Sequence, residues 1–266
     1  MRRGLPRGAA DRRGRTRPRA RWAAVAGIGV AAAAALAFAL SDGGDEPAVR
    51  RALTSDEANR LAVARFRNYE AEGRAVTITV PGTAGESVVT GSVDYHAKTG
   101  YGVVRGSGRD ASGDGLIEWT ATTVRFHPLA NAPATAPASP PATGWYDRPL
   151  RTAGNTLDGS LAIALGLGND RPDNPQLLPQ NGAEWVGSGQ VRGRPTDVMT
   201  GPDARGKAGT ADTVRYWIGA DGTMYRVQAD VASEPRPVVI EFDTQKYVPV
   251  RRAPKATPTP GPTPKR

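Results

Sequence analysis

The first regular pattern in the chain is a run without charge, Trp22 to Leu40 (WAAVAGIGVAAAAALAFAL). Nineteen residues at 1.5 Å each give a helix of about 28 Å, close to a bilayer's hydrocarbon thickness. After a polar stretch at 41–52, Thr54-Ser55-Asp56-Glu57 has the form of a capping box, with Thr54 accepting from the backbone three residues on and Glu57 reaching back. Apolar or small residues at 58, 61, 62, 66 and 69 then mark an amphipathic helix that ends near Gly73. Beyond it the period changes to two. Val76, Ile78 and Val80 alternate with threonines, followed by Val89, Val93 and Tyr95, by Tyr101 and Val103, by Ile117 and Trp119, and by Val124 and Phe126, which predicts five strands. Pro81-Gly82, Lys98-Thr99-Gly100 and Ser112-Gly113-Asp114-Gly115 supply the turns of antiparallel hairpins.

Residues 128–143 (PLANAPATAPASPPAT) are too rich in Pro and Ala to extend a sheet, and their side chains look too small to bury anything, so an exposed loop is expected. A second helix is predicted over Asn155 to Gly168, with Asn155 or Thr156 as cap and Leu157, Leu161, Ala164 and Leu165 on one face. Strands return at 185–190, 195–200, 213–218, 223–231 and 238–247. In them Val214, Tyr216 and Ile218 face one way, as do Tyr225, Val227, Ala229 and Val231, and again Val238, Ile240 and Phe242, with Arg226, Gln228, Glu241 and Asp243 on the other side. A sheet with one dry and one wet face is antiparallel and needs helices over the dry side. The expected fold class is therefore α+β: a curved antiparallel sheet of about ten strands, a half-barrel covered by two helices, preceded by a single transmembrane helix.

Charge assigns the sides. Of the formal net charge of +9, residues 1–21 carry +8 and residues 251–266 carry +5, so residues 22–250 hold −4. The high isoelectric point thus belongs to two tails, and the folded part lacks the electrostatic footprint of a nucleic-acid binder. Arginines before Trp22, with Asp42, Asp45 and Glu46 after Leu40, place 1–21 in the cytoplasm as a basic tail and 53–250 outside as the globular domain, beyond a linker at 41–52. Ala35-Leu36-Ala37 and Ala37-Phe38-Ala39 satisfy the small-x-small rule of signal peptidase, but the apolar run exceeds the core of a cleaved signal, so the segment is read as a retained signal-anchor. Residues 251–266 read as a disordered Thr-Pro-rich tail. Arg outnumbers Lys 30 to 5, a bias in keeping with a GC-rich actinobacterial genome.

Catalytic and metal chemistry is not expected. The chain has no Cys and two His, each at a strand end, with no carboxylate at ligating spacing. No Gly-x-Ser-x-Gly elbow occurs, and Gly187-Ser188-Gly189 sits where glycines form bulges. Neither a catalytic residue nor a cofactor is assigned.

Three stretches carry a family resemblance: Glu184-Trp185-Val186-Gly187, then Val191-Arg192-Gly193-Arg194-Pro195-Thr196-Asp197-Val198, then Tyr216-Trp217-Ile218-Gly219-Ala220-Asp221-Gly222-Thr223-Met224-Tyr225-Arg226-Val227. With the order helix, five strands, loop, helix, five strands, these resemble the LolA/LppX-like superfamily of bacterial envelope lipoprotein and lipid carriers over residues 53–250. The resemblance implies a hydrophobic ligand, a lipid or lipoprotein, held between sheet and helices. Trp119, Phe126, Tyr216 and Tyr225 would line its cavity, with Leu161 and Leu165 on the lid. The same residues could instead pack on one another, leaving a module that binds an envelope protein and no small ligand. The family's lipidated Cys is missing and a membrane helix stands in its place, so binding fits the chain better than ferrying.

Overall fold

The computed structural model describes residues 50–253, apart from 83–84, 107–112, 205–206, 208 and 232–233. The expected membrane segment 22–40, the basic tail 1–21, the linker up to 49 and the tail from 254 lie outside the described residues. Among the described residues no helix is long and apolar enough to cross a membrane.

Among the described residues twelve strands form one open, curved, wholly antiparallel sheet, with strand order β1-β8-β9-β10-β11-β12-β2-β3-β4-β5-β6-β7. Their ranges are β1 Arg51–Ala52, β2 Gly73–Gly82, β3 Gly85–Asp94, β4 Thr99–Gly106, β5 Gly115–Thr120, β6 Thr123–Pro128, β7 Tyr146–Pro149, β8 Glu184–Val191, β9 Arg194–Thr200, β10 Val214–Ile218, β11 Met224–Ala229 and β12 Val238–Phe242. The helices are α1 Ser55–Glu70, α2 Thr156–Gly166 and the single turn α3 Leu177–Gln180. The α+β class and the curved sheet follow the sequence pattern. The strand count is higher than ten because β1 and β7, two and four residues long, lie at the two edges and carry no alternation to read.

Helix α1 starts at the predicted capping box: Thr54 Oγ1 accepts from Glu57 N at 3.3 Å and Glu57 Oε2 accepts from Thr54 N at 2.8 Å. Arg51 adds a two-pronged pair to the same carboxylate, 2.7 Å to Oε2 and 2.6 Å to Oε1. The hydrogen bond from Arg51, followed by those from Thr54, outweighs the opposing effect of burial and holds the Glu57 carboxyl at about 2, below its ordinary 4.5. A depressed carboxyl pKa stabilises the fold above the unfolded value and loses that contribution as pH falls through the folded one. Glu57→Gln is therefore expected to be less stable than the parent at pH 7 and to converge with it as pH falls from 4.5 to about 2, read as urea midpoints across that range. A gap that persists unchanged at pH 2 would show that the pairing does not depend on the ionised carboxylate.

The inner face of the sheet carries the main core. Val76, Ile78, Val89, Val93, Ile117 and Trp119 on one half meet Met199, Ile218, Val227, Ile240 and Phe242 on the other, under Leu61 and Ala64 of α1 and Leu161 and Ala164 of α2. One buried polar cluster ties these parts together. Arg74 donates to Asn68 Oδ1 (2.6 Å), to Met224 O (3.1 Å) and to both Asp243 oxygens (3.1 and 2.6 Å), and lies over the Phe242 ring at 4.7 Å. Asn68 in turn donates to Leu167 O at 2.8 Å, so α1, β2, β11 and the residues after α2 are fixed in one network. Asn155 is the α2 cap, accepting from Asp158 N at 2.9 Å.

Residues 129–143 form the expected loop, mostly exposed, but contrary to the expectation that its small side chains bury nothing it covers part of the outer face. In β4, Gly100 and Gly102 give the inner side room for neighbours, while Tyr101 and Val103 project outward with Leu116 of β5. Leu129, Ala132 and Ala136 of the loop, together with Trp145 and Val250, pack over these three residues. The segment after β12 crosses the same face and is clamped at Ala253, whose N–H donates to Glu118 Oε2 (2.6 Å) and whose carbonyl accepts from Arg125 Nη1 (2.8 Å). Small side chains cannot make a core alone, but they can cover one.

Candidate functional site

Of the six residues the family resemblance implies, five gather at the inner core. Trp119 and Leu161 are fully buried and Leu165 nearly so, while Phe126 and Tyr216 pack against the same core from partly exposed positions. Tyr225 is not among them. The β10–β11 register pairs Trp217 with Arg226 and Ile218 with Met224, so Tyr225 is the extra residue of a bulge. Met224 takes the core position, and the Tyr225 ring lies instead beneath the Arg194 guanidinium at 5.1 Å. A period-two reading carried through the bulge misplaces it.

Trp119, Leu161 and Leu165 are packed into the main core. The inner face opens farther along, between α1 and β9–β11, in a cleft of about 180 Å³. Leu61, Ala64, Leu178, Val214, Tyr216 and Met224 line it, and Arg65 with Asp173 stand beside it. Arg65 Nε donates to Asp173 Oδ2 at 3.0 Å and Nη2 to Oδ1. Burial opposes the Arg65 charge, but the hydrogen bonds and charge of Asp173 outweigh it and hold the guanidinium above its ordinary pKa. Burial likewise raises the Tyr216 hydroxyl, so the cleft presents a neutral phenol, a closed ion pair and otherwise apolar wall. A 150 Å³ apolar cavity takes a benzene ring, whereas a whole drug-sized ligand needs roughly 300 Å³ or more. The inner cleft fits a ring or the end of an acyl chain.

A second concavity lies on the outer face, in two adjoining parts. One of about 200 Å³ is bounded by Ser92 and Tyr101, the loop residue Ala136, and Lys246 and Val248; the other, about 250 Å³, is bounded by Val88, Val103, Arg105 and Ala134. Thr90 lines both. Neither Leu178 and Asp173 nor this outer groove was found from the sequence, since Leu178 sits in a one-turn helix and the groove walls are irregular segments.

The two histidines lie apart, His96 against the Tyr69 ring (4.2 Å) and His127 against Trp145 (5.4 Å). No group of three or more His, Asp or Glu suited to a metal ion occurs among the described residues. Gly187-Ser188-Gly189 lies within β8 and pairs in regular register with Val198, Asp197 and Thr196 of β9; the bulge expected at these glycines falls one residue earlier, at Val186.

No family model matches the chain, and no curated protein matches it. Solved structures similar to it include an uncharacterized conserved protein from Thermus thermophilus, with TM-score 0.36 and 10% identity over 72% of this chain and 91% of that one. A DUF1329 family protein from Desulfovibrio piger has TM-score 0.29 and 11% identity, over 71% and 91%. A LolA superfamily protein from Nitrosomonas europaea has TM-score 0.28 and 11% identity, over 75% and 96%. One of these three carries the name of the LolA superfamily, which the sequence loosely resembles.

Proposed function

We propose that this chain is a membrane-tethered, extracytoplasmic binding protein of the cell envelope, non-catalytic, which receives the apolar part of a lipid or lipidated partner at the inner face of its half-barrel sheet. The observation that carries this reading is the cleft between α1 and β9–β11, where the main core reaches the surface through Leu61, Val214, Tyr216 and Met224. Its volume suits the leading end of an acyl chain, and deeper entry would displace Leu178, a core residue carried on the single turn of α3. Retention of Trp22 to Leu40 as the tether, with residues 1–21 in the cytoplasm, belongs to the same reading.

The test is extraction of the purified full chain, after exhaustive detergent exchange, with organic solvent. About one lipid per chain is expected to remain bound, and Val214→Trp, which fills the cleft from its partly exposed wall, is expected to lose it. Equal lipid in the two proteins would remove support for the reading. It would favour a second one, an envelope interaction or sensor module without a small ligand, for which the closed packing around Trp119, Leu161 and Leu165 speaks.

A further inference from the structure

Tyr101 poses a problem that its surroundings do not solve. The residue is 5% exposed, and its hydroxyl, with no measurable contact with solvent, finds no hydrogen-bond partner among the described residues. An unpaired buried hydroxyl costs roughly 1–3 kcal/mol, and it belongs to a residue that lines the outer groove. Burial, reinforced by the negative charge of Glu118, pushes the phenol up to about 12, so the group stays a donor at neutral pH. Three other polar side chains here are already engaged. Ser92 Oγ accepts from Val248 N (3.2 Å), Gln245 Nε2 donates to Val76 O and Gly91 O (3.2 and 2.8 Å), and Arg105 at the far end donates to Ala132 O (2.7 Å). Lys246, at the lip, is exposed.

The groove is long and narrow. From Ser92 to Val88 it follows four residues of β3, about 13 Å at some 3.3 Å per residue, and the two parts together exceed the roughly 300 Å³ lower bound for a small-molecule site. Away from Tyr101 its walls are mostly apolar, with Val88, Val103 and Ala134 at the far part, where Arg105 is turned onto Ala132 O, and Ala136 and Val248 at the near one. Both walls, the Pro/Ala loop and the segment after β12, lack regular structure, so they can part without breaking the sheet ladder.

We propose that this outer groove is a binding site for a single-chain amphiphile bearing a carboxylate, a fatty-acid-like anion. Its carboxylate accepts from the Tyr101 hydroxyl and faces the Lys246 ammonium, and its tail runs along β3 past Thr90 towards Val88 and Ala134. One unpaired donor and the exposed Lys246 suit a monoanion, and Val88, Val103 and Ala134 of the far part, whose Arg105 is already bonded to Ala132 O, suit a hydrocarbon. The site lies on the opposite face of the sheet from the inner cleft and does not depend on it.

The test uses the full-length chain in membrane vesicles, irradiated with palmitic acid bearing a diazirine, and maps the label by peptide mass spectrometry. Label is expected on residues 134–136 and 246–250, competed by excess palmitic acid and much less by methyl palmitate. Tyr101→Phe is expected to cut competable labelling about threefold to tenfold while raising the thermal midpoint, because the empty protein loses an unpaired hydroxyl. Lys246→Glu is expected to cut it likewise, and Ala136→Trp to abolish it. Competable label confined to Val214 and Tyr216 would support the inner cleft and overturn the outer site. Absence of competable label, or equal competition by the ester, would also overturn it.

Discussion

Gly100→Ala is expected to lower the thermal midpoint of the domain by about 4–12 °C, for a loss of about 2–3 kcal/mol. A Cβ at Gly100 would stand 2.1 Å from both Cε2 and Cζ2 of Trp119, its partner across the β4–β5 ladder. The indole is fully buried in the main core, so it cannot swing into solvent and must either leave its rotamer or part the strands. A double-mutant cycle isolates the cause. Trp119→Leu alone should cost about 3 kcal/mol through the cavity it leaves. On that background Gly100→Ala should cost under about 1 kcal/mol, the difference being the coupling between contacting sites. An equal cost in both backgrounds would mean that the ring is not what excludes the methyl group.

Asp158→Ala is expected to cost about 2–3 kcal/mol, seen as a fall in the urea midpoint at unchanged slope. Asp158 is wholly buried at the first turn of α2. Its two oxygens accept from Arg148 at 2.6 and 2.7 Å, and one also accepts from Arg151 N at 2.7 Å. Removing the carboxylate strands the Arg151 N–H. Arg148, its side chain 41% exposed, can turn to water, which places the loss at or below the lower end for a broken buried pair. The reciprocal change, Arg148→Leu, leaves the buried carboxylate behind and should cost more. A loss below about 0.5 kcal/mol for Asp158→Ala would show that water replaces the pair without penalty. Because Arg148 lies in β7, this bond also fastens the last strand of the sheet to α2.

The two longer helices and the ten long strands were legible because each has a local signature: a capping box at Thr54, a cap at Asn155, and unbroken alternation in β2 or β12. What escaped is non-local. Edge strands β1 and β7 are too short for a period, and Asp158 looks like an ordinary first-turn acid until Arg148 arrives from another element. The packing of residues 129–145 depends on Tyr101 and Val103 pointing outward, which their alternation with Gly100 and Gly102 in β4 does not reveal, since it reads equally well with the apolar side turned inward. At the candidate site, sequence placed Trp119, Leu161 and Leu165 in the core but could not distinguish core from cavity, since both are made of the same side chains. Tyr225 was lost to a bulge, a one-residue shift in register without a marker in the alternation.

β12 lies between β11 and β2, so the strand that unites the two halves of the sheet is also the last one to leave the ribosome. Until Phe242 is synthesised, the ten-residue β2 and the neighbouring β11 keep bare edges, each a template for another chain. A premature stop or a proteolytic nick before Val238 would therefore produce not a smaller working domain but a sticky, half-built one, and quality control would have to act on any message truncated there.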